Sequence, residues 1–383
     1  MTMKSVLGHD QTVGARACNQ GAQVTHRAIR VVLPAAIAIA IMAFVLPRVT
    51  GSPWRAIAAA WRVLTWWQLI ALSLLWVAGL VAHSTVLMGA LPGLTRRRAL
   101  TLNLTGSAVS NLLPLGGGVG IGINYAMARR WGFSSGQFSV FTVLSNIWSV
   151  LAKASLPCVA VTVLIARDVP IDRRILVGAV VASTVLVIAT GLAIAVASSD
   201  RGARVAGRAA RLVASLGRSR HDAGNVEARL IALRRSGAVV VRASWRRMTL
   251  GMVTYYALAA VLLWACLHVV GSTLGPVAVL ALFAFERALT TLPITPGGSG
   301  VVEVATTALA VAFSGPSETA VVAAGVLLYR AFVFGLEVPV GGVWLLGWLF
   351  VQRSSRAPGL TPAAIGHGRQ HREPTPAKRT IST

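Results

Sequence analysis

The stretch Leu292-Pro293-Ile294-Thr295-Pro296-Gly297-Gly298-Ser299-Gly300, followed at once by Val301-Val302-Glu303, lies between two apolar segments. Two prolines and three glycines in nine residues stop both an α-helix and a lipid-facing strand. A counterpart, Leu113-Pro114-Leu115-Gly116-Gly117-Gly118-Val119-Gly120, sits about 180 residues upstream. Two apolar segments broken alike, one in each half of a chain, point to a transporter-like site built from an internal repeat.

Composition places these breaks in a membrane. Of 383 residues, 55% are hydrophobic and only 12% charged, outside the range of soluble globular domains. The net charge of +25 does not indicate nucleic acid, because the basic residues fall between apolar runs rather than along one soluble face. Basic loops beside lipid first set orientation and second attract anionic headgroups. The three cysteines, Cys18, Cys158 and Cys266, have no paired spacing, and no metal site, cofactor or disulfide framework is expected.

Taken in order, the chain reads as a polar cytoplasmic tail over 1–30, a first span over 31–46 and a second over about 66–90. Trp54, Trp61, Trp66 and Trp67 before that second span fit an interfacial aromatic belt. Residues 99–128 read as a re-entrant hairpin, since the 15-residue arm before the glycines reaches only ~22 Å as helix. Arginines at both of its ends bring it in from the cytoplasmic side. Residues 136–166 read as one helix kinked at Pro157, and 176–197 as a return span.

Residues 198–247 hold twelve Arg against three acidic residues and read as a cytoplasmic basic loop. A span over 248–270, a short outer turn at Gly271–Pro276, a second hairpin over 277–313 and a long run over 319–351 interrupted at Pro339 complete the membrane domain. The tail 352–383 reads as disordered and cytoplasmic. The predicted fold is an all-α polytopic membrane protein with about six full spans and two re-entrant hairpins. The transmembrane domain covers 31–351, with repeats at about 31–166 and 175–351. Residues 66 and 248, Gly117 and Gly297, and Pro157 and Pro339 are offset by 182, 180 and 182, and hairpins entering from opposite sides make the repeat inverted.

Charges at membrane depth are costly and need partners or a wet cavity. The candidates are Lys153, Glu286, Arg287, Glu303, Arg330 and Glu337, five of the six in the second half. Glu303 follows the glycines near a helix N-terminus, where the dipole and free amides stabilise a carboxylate. Arg330 and Glu337, seven apart, share one face of a regular helix. These residues either form a buried ion-pair set fixing the hairpin to the last helix or contact a headgroup directly. Arg330 and Lys153 suit a phosphate or carboxylate, and Glu303 a cationic headgroup or a coupling proton. Asn111 and Tyr125 flank the first turn and offer hydrogen bonds to a headgroup. His83, in mid-span, reads as a hydrogen-bonded core histidine or a proton relay. Gly116/Gly120 and Gly118/Gly122 are small-residue pairs for close helix packing. Neither glycine-rich turn has a nucleotide-binding register.

The Asn111–Gly120 segment with Tyr125 and Arg129, together with Leu292–Glu303 and Tyr329-Arg330, resembles the lysylphosphatidylglycerol synthase transmembrane (flippase-like) family over most of 66–351. That resemblance implies a bacterial inner-membrane protein that moves an aminoacylated or otherwise modified lipid between leaflets. The cytosolic aminoacyl-transfer domain of full-length synthases has no counterpart here, so no enzymatic activity is expected. The expected function is lipid translocation, with an anionic or aminoacylated phospholipid or a polyprenyl-linked lipid as partner. The substrate-binding residues are Glu303, Arg330, Glu337 and Lys153, supported by Glu286, Arg287, Asn111 and Tyr125. Hairpin tips are expected at Pro114, Gly116, Gly117, Gly118 and Gly120, and at Pro293, Pro296, Gly297, Gly298 and Gly300. The alternatives are a membrane-embedded transferase using a lipid-linked donor, with Glu303 as base, and a non-transporting scaffold that recruits a separate lipid-modifying enzyme.

Overall fold

The computed structural model describes residues 53–112, 116–167, 223–290 and 300–354, with scattered positions between 173 and 191. The predicted span over 31–46, most of the return span, both tails and tip residues Pro114, Pro293, Pro296, Gly297 and Gly298 lie outside the described residues. Among the described residues the structure is helical, with no strand. The chain divides into two units, Met1–Leu345 and Leu346–Thr383. In the second, the described residues 346–354 are helical.

Ten α-helices are described: α1 (Trp54–Trp61), α2 (Trp66–Ala90), α3 (Arg96–Leu112), α4 (Gly116–Arg130), α5 (Ser135–Ala166), α6 (Ala223–Val269), α7 (Pro276–Leu289), α8 (Val301–Ser314), α9 (Thr319–Arg330) and α10 (Glu337–Ser354). A 3-10 turn at Pro316–Glu318 precedes α9, and a π-helical segment, Ala331–Leu336, joins α9 to α10. Among the described residues, four stretches are long and apolar enough to cross a membrane: Trp66–Ala90, Ser135–Ala166, Ala232–Val269 and Pro316–Phe350. Outward-facing aliphatic side chains such as Leu74 (65% exposed) and Leu250 (67% exposed) suit contact with lipid rather than water.

Local sequence sets the helix starts. Thr65 and Gln68 form a capping box at α2, with Gln68 N–H donating to Thr65 Oγ1 (3.4 Å) and Thr65 N–H to Gln68 Oε1 (2.9 Å). Ser134 and Gln137 do the same at α5, at 3.1 and 2.8 Å. Pro276 opens α7 at the position where a missing N–H costs nothing. The turn between α6 and α7 is tied to the start of α9 by the Glu318 carboxylate, which accepts from Ser272 Oγ and Thr273 N–H, both at 3.1 Å, and from Thr273 Oγ1.

The helices on either side of each glycine-rich stretch pack on each other, α3 on α4 and α7 on α8. In the first, Asn124 amide N–H donates to the Leu102 carbonyl at 3.1 Å and Thr105 Oγ1 to Asn124 Oδ1 at 3.4 Å. Gly116 and Gly120 sit where a Cβ would strike α3: at Gly116 it would lie 2.7 Å from Ser110 O, and at Gly120 2.9 Å from Gly106 O. The second expected small-residue pair does not form, because Gly118 and Gly122 face open space on the exposed side of α4.

Each pair also contacts a helix from elsewhere in the chain. Helix α7 packs on α5. Helix α3 meets α10, where Trp344 Nε1 donates to Thr101 Oγ1 at 2.9 Å and a Cβ on Gly341 would collide with the Leu104 carbonyl. Helices α2 and α6 pack along each other most extensively, with Gly251 set against Thr85 and Val86.

Three expectations change. Residues 223–247, expected as part of a basic loop, are helical and continuous with the span, so α6 has 47 residues and is ~70 Å long. Their Ala, Leu and Arg content gives strong helix propensity, which the charge pattern obscured. The Trp cluster is not only an interfacial belt, since it brackets α1, which buries Ile57 and donates from Trp61 Nε1 to the Ala324 carbonyl of α9 at 3.0 Å. Pro157 lies inside a single helix of 32 residues, but at Pro339 the irregularity falls earlier, at 331–336. Proline has no N–H for its preceding turn, and a widened turn just before it puts Pro339 in the first turn of α10, where none is required.

Candidate functional site

Four charged side chains meet where α7, α8 and α9 pack together, all nearly excluded from solvent: Glu286 is 1% exposed, Glu303 2%, Arg330 6% and Arg287 9%. Arg330 is fourteen residues into the 35-residue apolar stretch Pro316–Phe350, ~21 Å along the helix. Helix α8 begins at Gly300, whose φ of 86° belongs to the left-handed region that glycine enters without strain. Three residues on, Glu303 reaches back and accepts the Gly300 N–H on Oε2 at 2.6 Å, using a free donor of the helix start. Its other oxygen accepts from Arg330 Nε at 2.8 Å.

Arg330 has a second carboxylate within reach, since its NH1 lies 3.4 Å from Glu286 Oε1. Glu286 is held in turn by Arg287, through NH2 on Oε1 at 2.7 Å and through Nε on Oε2. Arg287 NH2 also donates to the Tyr329 hydroxyl at 2.8 Å. Aromatic faces complete the surroundings: the Arg287 guanidinium is 5.4 Å from the Phe283 ring centre and 5.9 Å from that of Tyr329, and Arg330 is 5.4 Å from Phe334. Two guanidinium and two carboxylate groups give a set with no net charge, the condition under which ionised groups persist in a low dielectric.

The two remaining charges flank this set. Lys153, half-buried on α5, lies within Coulomb range of Arg287 and Glu286. Glu337 does not share a face with Arg330 as their seven-residue spacing predicts. The π segment between them widens the intervening turns, and Glu337 instead lines a cleft with Trp76 and Gly79 of α2, Tyr255 and Leu262 of α6, and Val333. It stays within Coulomb range of Tyr255 and in hydrogen-bonding reach of Ser107 on α3.

Other expected residues separate from this cluster. Asn111 is half-buried near the end of α3. Tyr125 is not beside the first turn: nine residues beyond Gly116, ~13 Å along α4, it hydrogen-bonds Ser135 at the base of the hairpin at 2.9 Å. Of the tip glycines, Gly116, Gly120 and Gly300 are buried, whereas Gly117 and Gly118 are exposed. His83 pairs through Nδ1 with Asn103 Oδ1 at 3.0 Å and packs on Tyr255, as a core histidine does. The structure adds Tyr329, whose place beside Arg330 was visible, and Thr306 and Thr307 on the buried face of α8, which carried no signal among apolar neighbours. Among the described residues no group of His, Cys, Asp and Glu is arranged to hold a metal ion.

Long apolar helices packed around paired, buried charges are those of a membrane-embedded protein. Comparison with curated proteins returns no match. A family model described as Lysylphosphatidylglycerol synthase TM region matches residues 31–341, most of the chain, and the protein belongs to that family.

Proposed function

We propose that the protein is a lipid translocator, flippase-like, that moves a modified or polar-headgroup lipid between leaflets of the cell (inner) membrane. The observation that carries this reading is the Glu303–Arg330 pair, a buried ion pair at the start of an interrupted helix, with Glu286 as a second partner for the same arginine. A pair of this kind can open when a headgroup supplies replacement charge. A phosphate suits the planar fork of Arg330, and an ammonium group suits a carboxylate released from it. An anionic or aminoacylated phospholipid offers one or both, while its acyl chains stay in lipid.

The element order supports an inverted repeat. A long helix, a hairpin and a second long run occur as α2 to α5 and again as α6 to α10, and each hairpin packs on the second long run of the other half. In this reading both termini and the basic segment before α6 are cytoplasmic, and Lys153 and Glu337 flank the path of the headgroup. Leaflet exchange of a fluorescent lipid in proteoliposomes tests it. Glu303→Gln and Arg330→Ala are expected to abolish exchange while the protein still inserts, and normal exchange by both folded variants removes the site.

One observation favours a second role. The N-terminal part of α6 presents Arg234, Arg235, Arg242, Arg246 and Arg247 at its surface, as a scaffold for an acidic partner would. Loss of function on deleting 200–245, with none on mutating the buried charges, would favour that role.

A further inference from the structure

Helix α5 is the least buried of the four long apolar stretches among the described residues, and it carries no acidic residue. One of its faces is nonetheless polar from its start to its middle. Ser135, Ser139, Thr142, Asn146, Ser149 and Lys153 follow one another at alternating steps of four and three residues, the spacing that keeps side chains on one helical face. Ser135, Ser139 and Asn146 are exposed, and Thr142, Ser149 and Lys153 are half-buried. Exposed Val143 and Val150 border the stripe. Beyond Lys153 the same face turns apolar and closes, with Leu156, Ala160 and Leu164, the last two buried. The stripe thus runs ~27 Å, from the corner between α4 and α5 to a lysine near the middle of the helix.

Its polar groups are held in ways that leave them available. Ser139 Oγ, Thr142 Oγ1 and Asn146 Nδ2 donate to the carbonyls of Ser135, Phe138 and Thr142, at 2.9, 2.9 and 2.8 Å. Each of those carbonyls also accepts a helix N–H, so the side chain can turn to another acceptor without leaving the carbonyl unpaired. Lys153 is less engaged still: among the described residues no hydrogen bond or ion pair holds its ammonium group. Arg287 and Glu286 lie within its Coulomb range, but they are bonded to each other. A cation on an apolar helix with no carboxylate of its own calls for an anion.

We infer that this face of α5 is a track for the phosphate-bearing headgroup of a lipid, entered beside Ser135 and ending on Lys153. Hydroxyl and amide donors leading to an ammonium group, on a helix without a carboxylate, select an anion. The exposed valines beside the stripe accept acyl chains, so the ligand is a lipid rather than free phosphate. Neighbouring positions on the stripe are about 5–6 Å apart, and a phosphate, with oxygens on several sides, reaches the next before it leaves the last. Exposed Arg129 and Arg130 stand at the entrance, where basic side chains gather anionic headgroups from the membrane surface, and the Tyr125 hydroxyl meets Ser135 there at 2.9 Å. The inference deepens the translocator reading and rests on it, with α5 as the route from one leaflet to the buried charged set.

Photolabelling of the full chain in vesicles tests the site, with a photoreactive phosphatidylglycerol and, as control, a galactosyl lipid of the same chains, which has hydroxyls but no phosphate. Peptides of α5 around Lys153 are expected to take up the phospholipid about tenfold more than the control, the scale of one hydrogen bond to a charged group. Lys153→Gln is expected to lose that preference and Lys153→Arg to keep it. Equal labelling by the two lipids, or undiminished labelling in Lys153→Gln, overturns the inference, and is the result if another segment or a second copy of the chain covers this face. Leaflet exchange of fluorescent phosphatidylglycerol tests the track. Ser139→Ala/Asn146→Leu is expected to slow exchange about tenfold while Lys153 is still labelled, and unchanged exchange overturns the track. A wild type that exchanges lipid but shows no labelling at Lys153 keeps the translocator reading and loses this one. A wild type that is labelled yet exchanges no lipid loses the translocator reading and the track with it, while the phosphate site at Lys153 stands.

Discussion

Glu286 is the member of the charged set whose removal has the clearest consequence. Its carboxylate takes two bonds from Arg287 and lies 3.4 Å from Arg330, while being 1% exposed. Glu286→Gln keeps the shape but replaces one oxygen by an amide that points hydrogen at a guanidinium. Two cations then share the one carboxylate of Glu303. Removing one partner of a buried pair costs about 3–5 kcal/mol, because the other charge stays buried and uncompensated. At ~2–4 °C per kcal/mol the unfolding midpoint falls by roughly 10 °C.

The discriminating measurement is the double variant Glu286→Gln/Arg287→Gln. It restores neutrality and leaves chiefly the Tyr329 hydroxyl without the donor it has at 2.8 Å, a loss of about 1–3 kcal/mol. Two substitutions should therefore destabilise less than one, an interaction between neighbours that a double-mutant cycle reads directly. Thermal unfolding of the purified protein at one scan rate, followed by tryptophan fluorescence, supplies the midpoints. A Glu286→Gln variant within about 1 kcal/mol of wild type, or a double variant less stable than the single one, would refute the electrostatic account.

The same melts check two packing assignments. Gly120→Ala should destabilise by about 1–3 kcal/mol, since its Cβ would meet Gly106 of α3, whereas Gly118→Ala, facing open space on a helix, should be neutral or stabilise by about 0.4–1 kcal/mol. Trp344→Phe keeps the ring but loses the 2.9 Å bond to Thr101, and should cost about 1 kcal/mol.

The helical class and the convergence of Glu286, Arg287, Glu303 and Arg330 beside the second glycine-rich stretch were legible because each rests on a steep cost. Backbone polar groups cannot be left unpaired in hydrocarbon, and neither can a lone charge. What was not legible depends on small differences. Residues 223–247 are polar enough for a loop and rich enough in Ala, Leu and Arg for a helix, and continuity with the span decides. Tyr125 was read by its nearness in sequence to the glycines, yet a helix carries it ~13 Å from them to Ser135. Thr306 and Thr307 gave no sign, because threonine in an apolar helix normally bonds its own backbone.

The placement of Glu337 is decided by backbone winding, not by sequence spacing. Seven residues of regular helix make nearly two turns, which would set Glu337 directly beyond Arg330. Between them lies the segment Ala331–Leu336, whose turns close over one more residue than those of an α-helix, and Pro339 two residues past Glu337 favours such a widening. One extra residue per turn rotates the remainder of the helix by ~100°, enough to take a side chain from one groove to the next. Arg330 consequently enters the junction of α7, α8 and α9 with Glu303 and Glu286, while Glu337 enters the cleft of α2 and α6 beside Trp76 and Tyr255. The same helical run thus delivers a cation to the junction of α7, α8 and α9 and an anion to the cleft of α2 and α6, still within Coulomb range of Arg287, with the only π segment among the described residues between them. Any change in the winding of 331–336 alters the relation of these two sites, and in a regular helix Arg330 and Glu337 would lie on one face.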